Sequence, residues 1–132
     1  EKSNVERFKA VCLGEGNLER RLSPKANRAA LFIILYRDYP LLQMPFQLLN
    51  TLLDIDEQMA TWRFRHINMV HRMIGLRVGT GGSTGKDYLQ AALNKHYIFK
   101  EIAELTSFLV ERTKLPVLDD GLVAALSFGG KH

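Results

Sequence analysis

The stretch Pro45–Gly75, PFQLLNTLLDIDEQMATWRFRHINMVHRMIG, decides the fold of this chain. Its apolar side chains recur at steps of three and four residues, with one wider gap, which predicts one long amphipathic helix. The stripe consists of Leu49, Leu52, Leu53, Met59, Trp62, His66, Val70 and Met73. About 30 residues at about 1.5 Å per residue give a helix of roughly 45 Å, whereas a compact chain of this length has a diameter of roughly 36 Å. We therefore expect the helix to pack against further sequence or another subunit.

Local start and stop residues predict further helices on the N-terminal side. Asn4 is expected to cap a short helix that ends at Gly14. Ser23 and Pro24 predict the start of a second helix, because serine accepts a hydrogen bond at the cap and proline at the first position needs no N–H partner. This helix is expected to end before Pro40, and its apolar residues cover most of its circumference, which predicts burial on more than one side.

The C-terminal side is expected to be helical as well. Helical periodicity covers residues 87–93 and 96–105, whereas the tail from Pro116 is weakly specified. We find no strand alternation, internal repeat or low-complexity segment. The predicted fold class is therefore all-α, a helical bundle with one long central helix, in a single helical segment over residues 1–132.

Composition and charge argue against several classes of protein. The 18 basic and 14 acidic residues are interspersed and leave a net charge of +4, whereas a nucleic-acid-binding protein concentrates its positive charge on one face. No apolar run approaches the roughly 18 residues of a membrane span. The single cysteine, Cys12, excludes an internal disulfide and indicates a reducing compartment, so we expect a cytoplasmic protein with no nucleic-acid or membrane partner. The chain begins at Glu1 and not at Met, which suggests a fragment or a processed product.

Two groups of side chains on and near the long helix have structural interpretations. Asp54, Asp56 and Glu57 form an acidic cluster whose spacing is typical of a solvated helix face. The aromatic residues expected in the core are Trp62, Phe64, Tyr88, Tyr97 and Phe99. Neither group predicts a catalytic site.

His66 is the first candidate site residue, because it lies within the apolar stripe of the long helix. Trp62 and Val70 lie one turn before it and one turn after it on the same face. A neutral imidazole there presents one nitrogen to a metal while the other donates to a carbonyl or a water molecule. Zinc is disfavoured, because His71 lies about 140° away around the helix and no cysteine has ligand spacing, whereas haem iron needs only one protein ligand. The structural alternative is a histidine that is satisfied within the core.

A glycine-rich loop, GTGGST over Gly79–Thr84, follows the long helix. It is not a Walker A phosphate-binding loop, because Thr80 stands six residues before Lys86 where that motif needs glycine, and Asp87 follows the lysine. Glycines let the backbone approach a small ligand closely, and three side-chain hydroxyl groups offer hydrogen bonds. The alternatives at this point are a ligand-binding loop and a flexible connector.

The run from Arg20 to Tyr88 closely resembles the C-terminal half of the tryptophan 2,3-dioxygenase family. The matching segments are RRLSPKANRAALFIILYRDYP, MPFQLLNTLLDIDEQMATWRFRH, MVHRMIG and GTGGSTGKDYL. A weaker similarity continues to Pro116, so that roughly three quarters of the chain is covered. The motif W-R-x-x-H, followed 14 residues later by the threonine of G-T-G-G-S, is a specific combination.

This resemblance implies that the chain is part of a larger, all-helical, haem-binding subunit. It implies that His66 is the axial ligand of a haem b iron, one haem per subunit. The expected cofactor-binding residues are Trp62, Val70, Met73 and Gly79.

The resemblance also implies an activity and a substrate. Thr80 and Gly81 correspond to residues that contact the amino-acid moiety of L-tryptophan. Members of the family are homotetramers that use ferrous haem to insert both atoms of O2 into the indole ring across C2 and C3, which gives N-formylkynurenine. A haem-dependent dioxygenase of tryptophan catabolism, in the kynurenine pathway, is therefore the predicted function.

The family's N-terminal half carries the distal histidine and the residues that bind the substrate carboxylate, and this chain has no match to them. No catalytic residue is therefore identified here. We expect the N-terminal half of the same protein as a partner, and no turnover by these 132 residues alone. Two alternatives stay open: a histidine-ligated haem oxygenase that acts on another aromatic substrate, and a non-catalytic helical scaffold domain.

Overall fold

A computed structural model describes residues 3–74 and 97–128 of the chain. All regular elements within these ranges are helical, which confirms the predicted all-α class. In chain order they are α1 (Asn4–Phe8), a π-helix (Lys9–Leu13), α2 (Pro24–Leu35), α3 (Pro40–Ile74), α4 (Lys100–Glu104), two 3₁₀ helices (Leu105–Phe108 and Arg112–Lys114) and α5 (Asp120–Leu126). None of the helices in the described ranges is long and apolar enough to cross a membrane.

The chain divides into two compact units. The first comprises Glu1–Thr51 and Lys100–His132, and the second comprises Leu52–Phe99. The long helix α3 belongs to both, because its residues up to Thr51 lie in the first unit and those from Leu52 onward lie in the second. His66 and its helical neighbours therefore belong to the second unit.

Helix α2 begins and ends where its local sequence predicts. The Oγ atom of Ser23 accepts a hydrogen bond from the backbone N–H of Ala26 at 3.1 Å, and Pro24 occupies the first helical position. The helix ends at Leu35, well before Pro40. The predicted start and end of this helix are confirmed, and the start depends only on contacts within its first turn.

A hydrophobic core in the first unit holds α2 against the π-helix and the first 3₁₀ helix. Its buried members are Val11, Cys12, Ala30, Leu31, Ile34 and Leu105. Partly buried side chains pack around them, and two of these, Phe8 and Phe108, meet edge to face with ring centroids 5.6 Å apart. Full burial of an aliphatic side chain stabilises a fold by about 1.5–3 kcal/mol, so this cluster is the main source of stability in the unit.

Three side chains satisfy the carbonyl groups near the end of the π-helix. The side chain of Arg20 donates to the carbonyl of Ala10, that of Asn27 to the carbonyl of Val11, and that of Arg28 to the carbonyl of Cys12. The last turn of any helix leaves carbonyl groups without intrahelical partners. The helix ends as predicted at Gly14, whose φ of 80° places it in the left-handed region that favours glycine.

Glu101 of α4 joins the segment before α2 to the same core. Its carboxylate accepts the backbone N–H groups of Arg21 and Leu22, and it also accepts the side-chain amide of the fully buried Asn27 at 3.2 Å. A carboxylate that accepts several N–H groups makes charge-assisted hydrogen bonds, which are stronger than neutral ones. This contact links residues that are 74 to 80 positions apart in the sequence.

The predicted start of the first helix is wrong by one residue. Ser3 occupies the cap position, and Asn4 is already helical. No side chain accepts the cap hydrogen bond; the backbone carbonyl of Ser3 accepts the N–H groups of Glu6 and Arg7 instead. Both Ser3 and Asn4 are residue types that favour a cap, so local sequence does not distinguish them.

The predicted start of the long helix near Pro45 is also wrong, because α3 begins at Pro40. Both prolines suit a helix start, and the first of them occupies that position. Pro45 lies inside the helix and cannot donate to the carbonyl of Leu41, four residues earlier. Since Leu41 is exposed, solvent can reach this first turn of the helix.

The tail from Pro116 is more ordered than the sequence predicted. It contains α5, which Asp119 caps by accepting the backbone N–H of Leu122 at 3.0 Å. The hydroxyl of Tyr36 donates to the carbonyl of Pro116 at 2.8 Å. The tail is therefore positioned partly by a tertiary contact with the end of α2, which periodicity does not reveal.

Candidate functional site

The helix face that carries His66 is apolar and accessible. His66 itself is exposed, the side chain of Trp62 is 58% exposed and that of Met73 is 77% exposed. Val70 is half-buried. With about 100° of rotation per residue, these side chains lie within about 40° of His66 around the helix axis. The structure thus brings together four of the predicted site residues on one face of α3.

The prediction that the aromatic residues form a core is wrong for most of those that the structure describes. Trp62, Phe64 and Tyr97 are exposed, and Phe99 is half-buried. Tyr88 lies outside the described residues. Helical spacing predicts which side chains share a face, but burial depends on what packs against that face, and the sequence of the helix does not contain this information.

Trp62 and His66 form a parallel ring stack along the helix. Their ring centroids are 5.2 Å apart and the ring planes differ by 11°. The two residues are one helical turn apart, which is the separation at which side chains on a helix surface meet. The stack positions the imidazole ring of His66 beside a large, flat apolar surface.

The chemistry of this face fits a haem group. Haem iron requires a single axial imidazole from the protein, and the apolar residues beside His66 suit the hydrophobic porphyrin surface. In the part of the chain that the structure describes, no three histidine, cysteine, aspartate or glutamate side chains lie close enough to hold a metal ion. His66, Trp62, Val70 and Met73 are accordingly the described residues that fit this cofactor.

The other predicted site residues, Gly79, Thr80 and Gly81, lie outside the described residues. Their proposed contacts with cofactor and substrate stay predictions. Helix α3 is described as far as Ile74, one residue before its predicted end at Gly75.

Asp56 corrects the prediction of a solvated acidic face. Its side chain is buried, with 5% exposure, whereas Asp54 and Glu57 are exposed. The two carboxylate oxygens accept the backbone N–H groups of Ile98 at 3.0 Å and Phe99 at 2.6 Å. These contacts hold the chain just before α4, which begins at Lys100 and not near residue 96 as predicted.

The sequence contains a signal for this buried aspartate. The apolar stripe of α3 has a gap between Leu53 and Met59, and Asp56 fills it at the three-residue step from each. A polar residue on the apolar face of a helix is buried at low cost only when hydrogen bonds satisfy it. Its partners, which are 42 and 43 positions away, could not be inferred from the pattern.

An open cavity of about 350 Å³ lies beside Trp62 in the second unit. Its lining residues are Glu57, Gln58, Thr61, Trp62 and Arg65. Four of these five residues are polar or charged, and His66 is not among them. The cavity therefore borders the candidate haem face on the Trp62 side, but it does not coincide with it.

Cys12 does not have the surroundings of a reactive thiol. It is completely buried in the core of the first unit. Burial raises the pKa of the thiol, and the nearby guanidinium of Arg28 opposes this only in part. A raised pKa disfavours the nucleophilic thiolate at neutral pH, so Cys12 is a structural residue.

Comparison with known proteins assigns most of the chain to one family. Residues 5–109 match the family model of tryptophan 2,3-dioxygenase. The tryptophan 2,3-dioxygenase of Bdellovibrio bacteriovorus is 50% identical over 108 residues, which are 82% of this chain and 30% of the relative. The match covers α1 to α4, and with them His66 and Asp56.

Vertebrate relatives show similar agreement. The tryptophan 2,3-dioxygenase of Xenopus tropicalis is 48% identical over 105 residues, 79% of this chain and 26% of the relative. That of Rattus norvegicus is 47% identical over 102 residues, 76% of this chain and 25% of the relative. The matched region thus spans between a quarter and a third of the length of these three relatives.

Proposed function

Because the chain belongs to the tryptophan 2,3-dioxygenase family, we propose that it provides the axial-ligand side of the active site in a haem-dependent dioxygenase. The substrates are L-tryptophan and O2, and the product is N-formylkynurenine. The observation that carries this proposal is the position of His66, exposed on an apolar face of α3 and stacked on Trp62 within the W-R-x-x-H motif. The compartment we propose is the cytoplasm.

His66 holds the iron of haem b through one imidazole nitrogen. Val70 and Met73 present apolar surface on the same helix face, which favours a porphyrin over hydrated ions. When bound, haem supplies the iron that activates O2 for insertion into the indole ring. The contribution of α3 is to hold its imidazole at a defined position on a rigid helix, which is a requirement for precise placement of a metal ligand.

Substrate recognition is proposed for the glycine-rich loop. By the resemblance of GTGGS to the family's loop, Thr80 and Gly81 bind the amino-acid moiety of tryptophan, and Gly79 lies against the cofactor. A hydroxyl and backbone N–H groups suit a carboxylate or ammonium group, and the adjacent glycines allow the backbone to approach the ligand closely.

Further family sequence is proposed as the partner of this chain. The relatives are three to four times as long as the matched region, and the exposed apolar face around His66 is typical of a surface that other protein covers. We propose that the N-terminal half of the same protein supplies the opposite side of the haem site, and that the assembly is a homotetramer.

The proposal is tested by comparing the 132-residue chain with a protein that also carries the N-terminal family sequence. Both samples are titrated with haem and supplied with tryptophan under reducing conditions, and N-formylkynurenine is followed by absorbance. We expect a Soret band and turnover for the longer protein, and no turnover for the chain alone. Haem binding without N-formylkynurenine in the longer protein would favour another aromatic substrate, and failure to bind haem would favour the scaffold alternative.

A further inference from the structure

Trp62 and His66 form a ring stack of defined geometry on α3. The two rings are nearly parallel, 11° apart, with centroids separated by 5.2 Å. A separation of this size between parallel rings corresponds to an offset stack, which is a favoured arrangement of aromatic pairs. The indole therefore packs on the flat face of the imidazole.

Histidine needs such a neighbour if its ring is to hold one orientation. The torsion that turns the imidazole about its bond to Cβ is broad, because it joins an sp³ carbon to an sp² carbon. His66 is exposed, and none of the described residues hydrogen-bonds to its ring nitrogens. Among the described contacts, the stack with Trp62 is the one that restricts rotation of the ring.

The orientation of the imidazole sets the direction of a bond to a metal. A metal bound by an imidazole nitrogen lies close to the plane of the imidazole ring, so turning the ring moves the metal with it. Since the indole plane differs from the imidazole plane by 11°, the indole flanks the imidazole and presents its edge, not its face, toward a group bound in that plane. Partners of a metal ligand that fix its orientation contribute strongly to metal affinity.

We propose that Trp62 is a positioning residue for His66, because its stacked indole ring holds the imidazole in the orientation that ligates the iron. This inference rests on the proposed function, in which His66 is the axial ligand. In this role Trp62 acts by orienting His66, and the face of its indole ring does not contact the cofactor directly. The feature that matters is a flat ring one turn before the histidine, so phenylalanine preserves the role and leucine removes it.

The experiment compares Trp62→Leu, Trp62→Phe and a matched control, Phe64→Leu, in the protein that carries the N-terminal family sequence. Phe64 is an exposed aromatic residue of the same helix, roughly 160° from His66 around the helix axis. The first measurement uses the haem-free protein. The ring-current shift of the His66 imidazole protons in NMR spectra is expected in the unmodified protein and in Trp62→Phe and Phe64→Leu, and it is expected to disappear in Trp62→Leu.

The second measurement uses the haem-loaded protein. We expect the iron–histidine stretching band in resonance Raman spectra of the ferrous form to broaden or split in Trp62→Leu. Haem transfer to excess apomyoglobin should become roughly tenfold faster in that variant, the lower end of the effect of removing an outer partner of a metal ligand. Trp62→Phe and Phe64→Leu should retain one narrow band and a transfer rate close to that of the unmodified protein.

Two results would overturn the inference. One is an unchanged iron–histidine band in Trp62→Leu. The other is equally fast haem loss in Trp62→Leu and Trp62→Phe, which would make the indole a direct cofactor contact. A failure of the underlying function is recognised separately, because an iron–histidine band that persists in His66→Ala would show that another residue ligates the iron.

Discussion

The core of the first unit and the His66 face of α3 contain similar side chains in opposite environments. In the core, Leu31 and Ile34 of α2 and Leu105 of the first 3₁₀ helix are buried in one cluster. On the His66 face, Trp62 and Met73 are exposed in the described structure. Residue type therefore does not distinguish the two regions; the presence of a covering element does. The first region stabilises the fold, and the second offers an apolar surface to a ligand or to further protein.

Buried polar groups extend the same comparison. The buried Asn27 and the half-buried Glu101 satisfy backbone groups within the first unit, and the buried Asp56 does the same for Ile98 and Phe99 within the second. Each unit is thus specified by polar contacts between distant parts of the sequence. The His66 face differs because its only described interaction is the stack with Trp62.

Replacing His66 is expected to have the largest effect of the proposed substitutions. The effect should be on haem binding and activity, and not on the stability of the haem-free protein. In the complete protein, His66→Ala should lower haem affinity by more than about 100-fold, because even the loss of an outer-shell partner costs 10- to 100-fold. The free energy of unfolding of the haem-free protein should change little, since the side chain is exposed. Haem titration and urea unfolding measure the two quantities.

The control for this variant is His71→Ala, which removes the other histidine of α3. It should leave the spectrum of the ferrous protein unchanged. Added imidazole should partly restore haem binding to His66→Ala. Normal haem content in His66→Ala would show that the exposed face is not the haem site, and the contrast between the two regions would then have no functional meaning.

Truncating one apolar residue from each region measures the contrast in stability directly. In the haem-free 132-residue chain, Leu105→Ala removes a fully buried side chain of the core and should lower the free energy of unfolding by about 2–5 kcal/mol. Met73→Ala, on the exposed His66 face of the same chain, should change it by less than about 0.5 kcal/mol. Denaturant midpoints at constant m-value provide the comparison. Similar losses at both positions would indicate that the His66 face is covered in the native protein even without haem.

The variant Asp56→Ala tests whether the stability of the second unit depends on the buried carboxylate of Asp56. Asp56→Ala leaves the N–H groups of Ile98 and Phe99 without their acceptor, which should destabilise the protein by about 2–3 kcal/mol. Asp54→Ala, at an exposed position two residues away, is the matched control and should be close to neutral. Hydrogen exchange at the amides of Ile98 and Phe99 should accelerate in Asp56→Ala only. Equal exchange rates in the two variants would contradict the assigned hydrogen bonds.

Thr80→Val addresses the proposed substrate contact and is expected to have the smallest effect. Loss of one hydrogen bond to a charged group costs about 1.5–3 kcal/mol, which corresponds to a decrease of roughly 10- to 150-fold in kcat/KM for tryptophan. Binding of indole, which lacks the amino-acid moiety, should weaken less. If binding of both ligands weakens equally, the substitution has disturbed the loop and has not removed a specific contact.

Local signals in the sequence were sufficient for part of the fold. Ser23 and Pro24 start α2, and Gly14 ends the π-helix, because each acts through hydrogen bonds or backbone angles within one turn. The stripe from Leu49 to Met73 correctly predicted the long helix and the face that His66 shares with Trp62. The errors in the predicted starts of α1 and α3 are also local in origin, because Ser3 and Asn4 suit the same cap position and Pro40 and Pro45 suit the same helix start.

The sequence by itself determined the all-α class and the presence of α2 and α3, which side chains share the His66 face, and the motifs that resemble the family. Only the tertiary structure decided that Asp56 is buried, that Trp62 is exposed and that the tail forms α5 after Pro116. The physical reason is the range of the interactions. Helix propensity, capping and periodicity act over at most a few residues, whereas Asp56 is satisfied by backbone groups 42 and 43 positions away and Tyr36 contacts the tail across 80. Burial follows from such distant contacts, and no pattern within a single helix encodes them.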